Sequence, residues 1–161
     1  MPHRPILRFP DARLRALAAP VGPVSDAVRA LVADLADTMA RHRGVGLAAP
    51  QLGVARAAFV VDAGDGAGVR VFLDPVLVGT DGADAWVDEG CLSFPGRRAA
   101  VRRPPRAVVR ATGLDGAPVE VAGEGLLAQA MLHEMEHLRG VLLVDHVSRA
   151  ERRAIERAFA R

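Results

Sequence analysis

The sequence predicts a single α+β domain. Helical patterns lie toward both ends, short β-rich segments fill the middle, and no repeat, low-complexity tract or Pro-rich linker divides the chain. At 161 residues it is long enough to bury one core without disulfide or metal staples.

After an extended start through Pro10, Asp11 can cap a helical turn over Ala12 to Ala18, which Pro20 ends. Ser25 is the N-cap of a longer helix. Val28, Leu31, Val32, Leu35 and Met39 recur there at helical spacing, and Gly44 stops the pattern. Those residues read as core. Gly44 to Gln51, GVGLAAPQ, reads as a small-residue loop that lacks the Lys of a phosphate loop and the spacing of a dinucleotide loop. The apolar runs Ala57 to Val61 and Val69 to Leu73 make a hairpin, and Pro75 to Val78 and Ala85 to Val87 continue the strand-rich middle. Glu89 to Gly96, EGCLSFPG, comes next, with Cys91 between a glycine and the turn-prone Ser93 to Gly96. Arg97, Arg98, Arg102, Arg103 and Arg106 follow, and at least half of these are expected on a solvated face. Asp115-Gly116 turns a second hairpin between Ala107 to Ala111 and Pro118 to Val121. Leu126 to Gly140 is helical, Val141 to Val144 is a short apolar run, and Ser148 with Glu151 opens a last helix to Ala160.

Composition excludes several classes of function. Half the residues are hydrophobic and a quarter charged, with no apolar run of membrane-spanning length, which fits a soluble globular protein. All 21 basic residues are Arg, since the chain has no Lys. The formal net charge is only +2, too weak for a nucleic-acid protein. Cys91 is the single cysteine, so no intrachain disulfide can form and a reducing compartment suits the chain. The opening MPHRPILRFPDARLR lacks the apolar core of a secretion signal, so a cytoplasmic location is expected.

The chemistry concentrates in LLAQAMLHEMEHLRG, residues 126–140. His133, Glu134 and His137 form H-E-x-x-H, which on a helix puts both imidazoles on one face, one turn apart. They can share a divalent ion while Glu134, on the flank, takes a proton from a metal-bound water. The plain alternative is a charged helix face with two partly buried histidines. A catalytic ion needs a third protein ligand, and Cys91 as a thiolate is a good candidate. Gln51 carries an amide that can donate to a developing oxyanion.

Taken together, GVGLAAPQ, EGCLS and HEMEHLRG resemble the three signature motifs of the peptide deformylases. ILRFPDARLR is similar to that family's opening, and the likeness runs from about Ile6 to Asp145. The resemblance implies one catalytic domain over 1–161, with antiparallel sheets packed around the metal-binding helix and a C-terminal helix beyond. It implies Cys91, His133 and His137 as metal ligands, Glu134 as general base and acid, and Gln51 with the Leu92 backbone N–H as oxyanion donors. Fe²⁺ is the implied ion, with Zn²⁺, Ni²⁺ or Co²⁺ able to replace it. The implied reaction removes the formyl group from the N-terminal formyl-methionine of new polypeptides and releases formate. Val45 and Gly46 would pair with the peptide backbone, Arg98 would approach carbonyls further along, and Leu126, Gln129 and Ala130 would line the methionine pocket. The chain departs from the family's usual residues at Asp74 (commonly Asn), Gln129 (usually apolar) and Glu136 (commonly Asp). Glu136 points away from the metal face, and a pairing with Arg102 or Arg103 is expected.

A zinc endopeptidase shares the helix motif and takes its third ligand downstream, where Asp145, His146 and Glu151 stand. A non-catalytic protein that docks nascent chains is a further alternative. The partners expected are nascent formylmethionyl chains, with no nucleic acid or membrane, and the protein is expected to act as a monomer. Arg149, Arg152, Arg153, Arg157 and Arg161 make the last helix basic, which suits either a transient ribosome contact or a solvated face.

Overall fold

The computed structural model describes residues 4–160. Arg161, the last of the basic residues noted above, lies outside them. In chain order the elements are α1 (Asp26–Arg41), β1 (Gly46–Ala48), β2 (Ala58–Val61), β3 (Arg70–Asp81), β4 (Ala85–Gly90), β5 (Arg98–Arg103), β6 (Arg106–Thr112), β7 (Pro118–Glu124), α2 (Leu126–His137) and α3 (Arg149–Phe159). Five strands form an antiparallel sheet in the order β1-β2-β3-β6-β7, and β4 and β5 pair as a separate ribbon.

Alternation along β2 explains the layering. Phe59 and Val61 face one side and Ala58 and Val60 the other, and all four are buried. On the first side Phe59 stacks on Phe72, 4.6 Å between ring centres, under Leu127, Ala128 and Met131 of α2. On the second side Val28, Leu31, Val32, Leu35 and Met39 of α1 cover the sheet. Each such buried apolar side chain contributes about 1.5–3 kcal/mol, so the two helices are held by their apolar stripes. A third cluster joins the N-terminal strap (Leu7, Phe9, Leu14), the β4–β5 ribbon (Val101), Phe94 and Ile155 of α3. Gly123 on β7 lets α2 lie close: a Cβ there would stand 2.6 Å from Met131 Cε and 2.9 Å from Leu127 Cγ.

Caps fall where the sequence places them. Ser25 accepts from the Val28 N–H at 3.3 Å and Ser148 from the Glu151 N–H at 3.2 Å. Several expectations need correction. The turn after Asp11 is a 3-10 turn over Ala12–Arg15 only, because Ala18 and Ala19 bond instead to the Leu138 and Ala55 carbonyls. GVGLAAPQ is not simply a loop: Gly46–Ala48 is an edge strand and Ala49–Leu52 a 3-10 turn. α1 stops at Arg41, and Arg43 takes the left-handed backbone (φ 54°), a role commonly filled by glycine. The runs before and after Pro75 are one strand, β3, bent by a register shift between Leu73 and Val76. At that shift Asp74 adopts φ 48°, and its carboxylate accepts from the Val21 and Gly22 N–H groups at 2.8 and 3.1 Å. The arginine run holds an unanticipated strand, β5, whose inward residues are Ala99, Val101 and Arg103. Arg97, Arg98, Arg102 and Arg106 are exposed as expected. Among the described residues, no helix is long and apolar enough to cross a membrane.

Candidate active site

Helix α2 is mostly apolar toward the sheet, so its two histidines are drawn into the buried interior with it; His133 is 9% and His137 1% exposed. Their rings meet edge-on, with the two Nε2 atoms 3.2 Å apart. Cys91 comes from the turn that ends β4, closed by the Phe94 N–H to the Cys91 carbonyl at 2.9 Å, and its Sγ lies 3.4 Å from His137 Nε2. The three donor atoms all lie within 4.8 Å of one another. A four-coordinate ion with metal–nitrogen distances near 2.0 Å and metal–sulfur near 2.3 Å spaces such donors roughly 3.3–3.6 Å apart, so this set fits one borderline-soft divalent ion. His137 Nδ1 has no hydrogen-bond partner among the described residues, so that ring is fixed by packing and by what its Nε2 meets.

The proton balance also suits a cation. Burial alone would lower His133, but negative charge at Cys91 and the Glu89 carboxylate outweigh it and hold His133 well above the usual imidazole range. Burial, then the charge on His133, push His137 well below that range. A bound ion would take the place of the proton on His133, which makes metal binding proton-releasing.

Glu134 is 3% exposed, and its Oε2 has no partner among the described residues. Burial raises its carboxyl to about 7, against the pull of a charged His133. Such a group is poised to exchange a proton near neutrality. Its carboxylate rests against β1, where Gly46 makes room: a Cβ there would stand 2.6 Å from Glu134 Oε1.

Gln51, 1% exposed, is locked in one orientation. Its Oε1 accepts from the Ala48 N–H at 2.9 Å, which turns the amide nitrogen toward Ser93 Oγ (3.1 Å) and Cys91 Sγ (3.6 Å). Leu92, beside Cys91, lines the same cleft.

Glu89, which the sequence reading did not single out, and Arg103 hold these groups in place. Glu89 accepts from His133 Nδ1 at 2.8 Å and takes both Nε and Nη2 of Arg103, at 3.0 and 2.7 Å. Burial opposes the charge on Glu89, but the bonds from His133 and Arg103 prevail and bring its carboxyl down to about 2. Arg103 also pairs with Glu136, so the expected Glu136–arginine contact is present and its partner is Arg103. The available signal was parity: Glu89 is cross-strand from Ala99, and Ala99, Val101 and Arg103 share one buried face of β5.

The cleft above these groups encloses about 900 Å³. Val45, Gly46, Arg98, Leu126, Gln129 and Ala130 all line it, together with Gln51, Cys91, Leu92, His133 and Glu134. β1 is the edge of its sheet. The Val45 carbonyl is already taken by the Asp62 N–H at 2.8 Å, and antiparallel alternation leaves the Gly46 peptide groups facing outward. Gln129 is tethered, its amide donating to the Asp88 carbonyl at 3.1 Å, and Arg98 Nε is 2.6 Å from the Asp88 carboxylate. The downstream alternatives are engaged elsewhere. Asp145 binds Arg15, Arg152 and the Leu142 N–H, His146 binds Glu136, and Glu151 is exposed on α3, so none of the three joins the Cys–His–His cluster.

The family model for polypeptide deformylase matches residues 3–153. The chain belongs to the polypeptide deformylase family. It is 43% identical over 141 residues to peptide deformylase 1 of Clostridium perfringens, covering 87% of this chain and 95% of that one. It is 44% identical over 154 residues to peptide deformylase 1 of Pseudomonas syringae, covering 94% and 91%. The crystal structure of a peptide deformylase from Legionella pneumophila superimposes with TM-score 0.92 at 41% identity, over 97% of this chain and 92% of that one. The peptide deformylase from Ehrlichia chaffeensis in complex with actinonin does so with TM-score 0.91 at 31% identity, over 98% and 96%. These structures share with this chain the α+β deformylase fold.

Proposed function

We propose that this chain removes the formyl group from the N-terminal formyl-methionine of nascent polypeptides, acting as a single catalytic domain over 1–161. One observation carries the reading: a buried carboxylate, Glu134, beside converging Cys91, His133 and His137 donors at the floor of a cleft whose wall is a sheet edge. Cys91, His133 and His137 hold the ion, Fe²⁺ in the cell, with Zn²⁺, Ni²⁺ or Co²⁺ as substitutes. That ion supplies Lewis acidity and makes water a nucleophile at neutral pH.

The peptide lies along the outer edge of β1, with its backbone against Gly46 and Val45 and its methionine side chain toward Leu126, Gln129 and Ala130. Arg98 meets carbonyls further along the peptide. Glu134 accepts the proton of the attacking water, and oxygen adds to the formyl carbon. The Gln51 amide and the Leu92 N–H stabilise the negative oxygen that results. Glu134 then passes its proton to the departing nitrogen as the C–N bond breaks, giving formate and a free amine. The formyl carbon bears only hydrogen, so a tight site admits it and rejects the methyl of an acetyl group. Ferrous iron beside a thiolate makes the site prone to oxidation in air. In the cytoplasm the protein works as a monomer on nascent chains.

Anaerobic assay with Fe²⁺ or Ni²⁺ tests this. Formate is expected from formyl-Met peptides at a kcat/KM at least about 10²-fold above acetate release from acetyl-Met peptides. Equal rates, or cleavage inside the peptide, would overturn the reading.

A further inference from the structure

Glu136 takes no part in the chemistry above, yet it sits one residue before His137 and is 8% exposed. One of its oxygens pairs with Arg103, and both face His146 Nε2, at 3.0 and 2.6 Å. Arg103 in turn grips Glu89, whose Oε2 is shared between Arg103 Nη2 (2.7 Å) and His133 Nδ1 (2.8 Å). The result is an unbroken line of five side chains from His146, with a quarter of its side chain exposed (26%), to the His133 ring.

We infer that His146 is a positioning residue for the metal centre, acting through Glu136, Arg103 and Glu89 on the His133 ring. The inference rests on the reading of Cys91, His133 and His137 as metal ligands. Arg103 lies between two carboxylates, and only the fixed position of both keeps its guanidinium from sliding along Glu89. Because Arg103 and His133 share a single oxygen of Glu89, any shift of the guanidinium moves that oxygen and tilts the ring. Glu136 is the outer stop, and His146 pins it. Without His146, the carboxylate keeps only Arg103 and gains a route to water through the space His146 leaves. Orienting partners of this kind typically alter metal affinity by about 10- to 100-fold. Acting through three intermediates places His146 at the lower end.

The test is Co²⁺ affinity and the visible Co²⁺ spectrum of the full chain at fixed pH. His146→Ala and Glu136→Gln, whose neutral amide loses the charge that holds Arg103, are each expected to weaken Co²⁺ binding about tenfold and shift the visible bands. The double variant is expected to be no worse than either single, because both break one line. His146→Gln, which keeps a donor, is expected within about threefold of wild type. Val147→Ala, packed in the same C-terminal cluster, is expected to lower Tm with Co²⁺ affinity unchanged. Wild-type affinity and spectrum in His146→Ala would overturn the inference, as would an equal loss in Val147→Ala. If His146→Ala does not fold, Glu136→Gln against His146→Gln decides: a loss confined to Glu136→Gln supports the line, and wild-type binding in both overturns it. Failure of the wild type itself to bind Co²⁺ would sink the metal reading along with it.

Discussion

Glu134→Ala is expected to lower kcat for formate release by about 10³-fold while leaving the bound-metal stoichiometry unchanged. Cys91, His133 and His137 all remain, so the ion stays. What is lost is the carboxylate that takes a proton from the attacking water and returns it to the leaving nitrogen. Glu89, the other carboxylate closest to the histidines, is committed to His133 and Arg103 and cannot stand in. Burial raises Glu134 to about 7 in the metal-free site. A neighbouring cation favours the ionised form, so the acid limb of kcat in the loaded enzyme should fall below pH 7. Activity should decline as pH drops through that value, because protonated Glu134 cannot accept. Glu134→Gln, similar in volume, should lose turnover as Ala does. Metal content by atomic absorption, measured beside kcat, separates loss of base from loss of ion.

Gly46→Ala is expected to cost about 10² in kcat/KM with little change in stability. Its backbone lies in β1, without the positive φ that would make a side chain strained. The new methyl would meet the far end of Glu134, at 2.6 Å from Oε1 and 3.0 Å from Cδ and Cγ. A flexible side chain can step aside, so the fold survives, but the displaced group is the base. Thermal unfolding and kinetics together check this. A large fall in Tm, or a wild-type rate, would contradict the geometry.

Much of this site was legible in the chain because its signals are local. His133, Glu134 and His137 lie within one turn of a helix whose formers and glycine boundaries are plain, and residue type alone pointed to Cys91 as third ligand. The hairpins around 62–69 and 113–117 announced themselves by alternation and Gly-Asp turns. Less legible were features set by distant partners. β5 hides in an arginine run because charge suggests solvent, and only pairing with β4 shows that Arg103 faces inward. Glu89 passed as the first residue of the stretch around Cys91, since its work depends on His133, 44 residues away in sequence. β3 passes through Pro75 because Asp74 supplies the kink and finds its partners at Val21 and Gly22. GVGLAAPQ reads as a loop because three strand residues on a sheet edge leave too short an alternation to detect.

One thiolate and two imidazoles are expected to meet at a single ion, and anaerobic titration of the metal-free chain with Co²⁺ measures that. One equivalent should bind, with a sulfur-to-cobalt charge-transfer band that is present in wild type and in Glu134→Ala and absent in Cys91→Ser. A band that survives in Cys91→Ser, or cobalt binding that leaves both His133→Ala and His137→Ala at wild-type affinity, would contradict it.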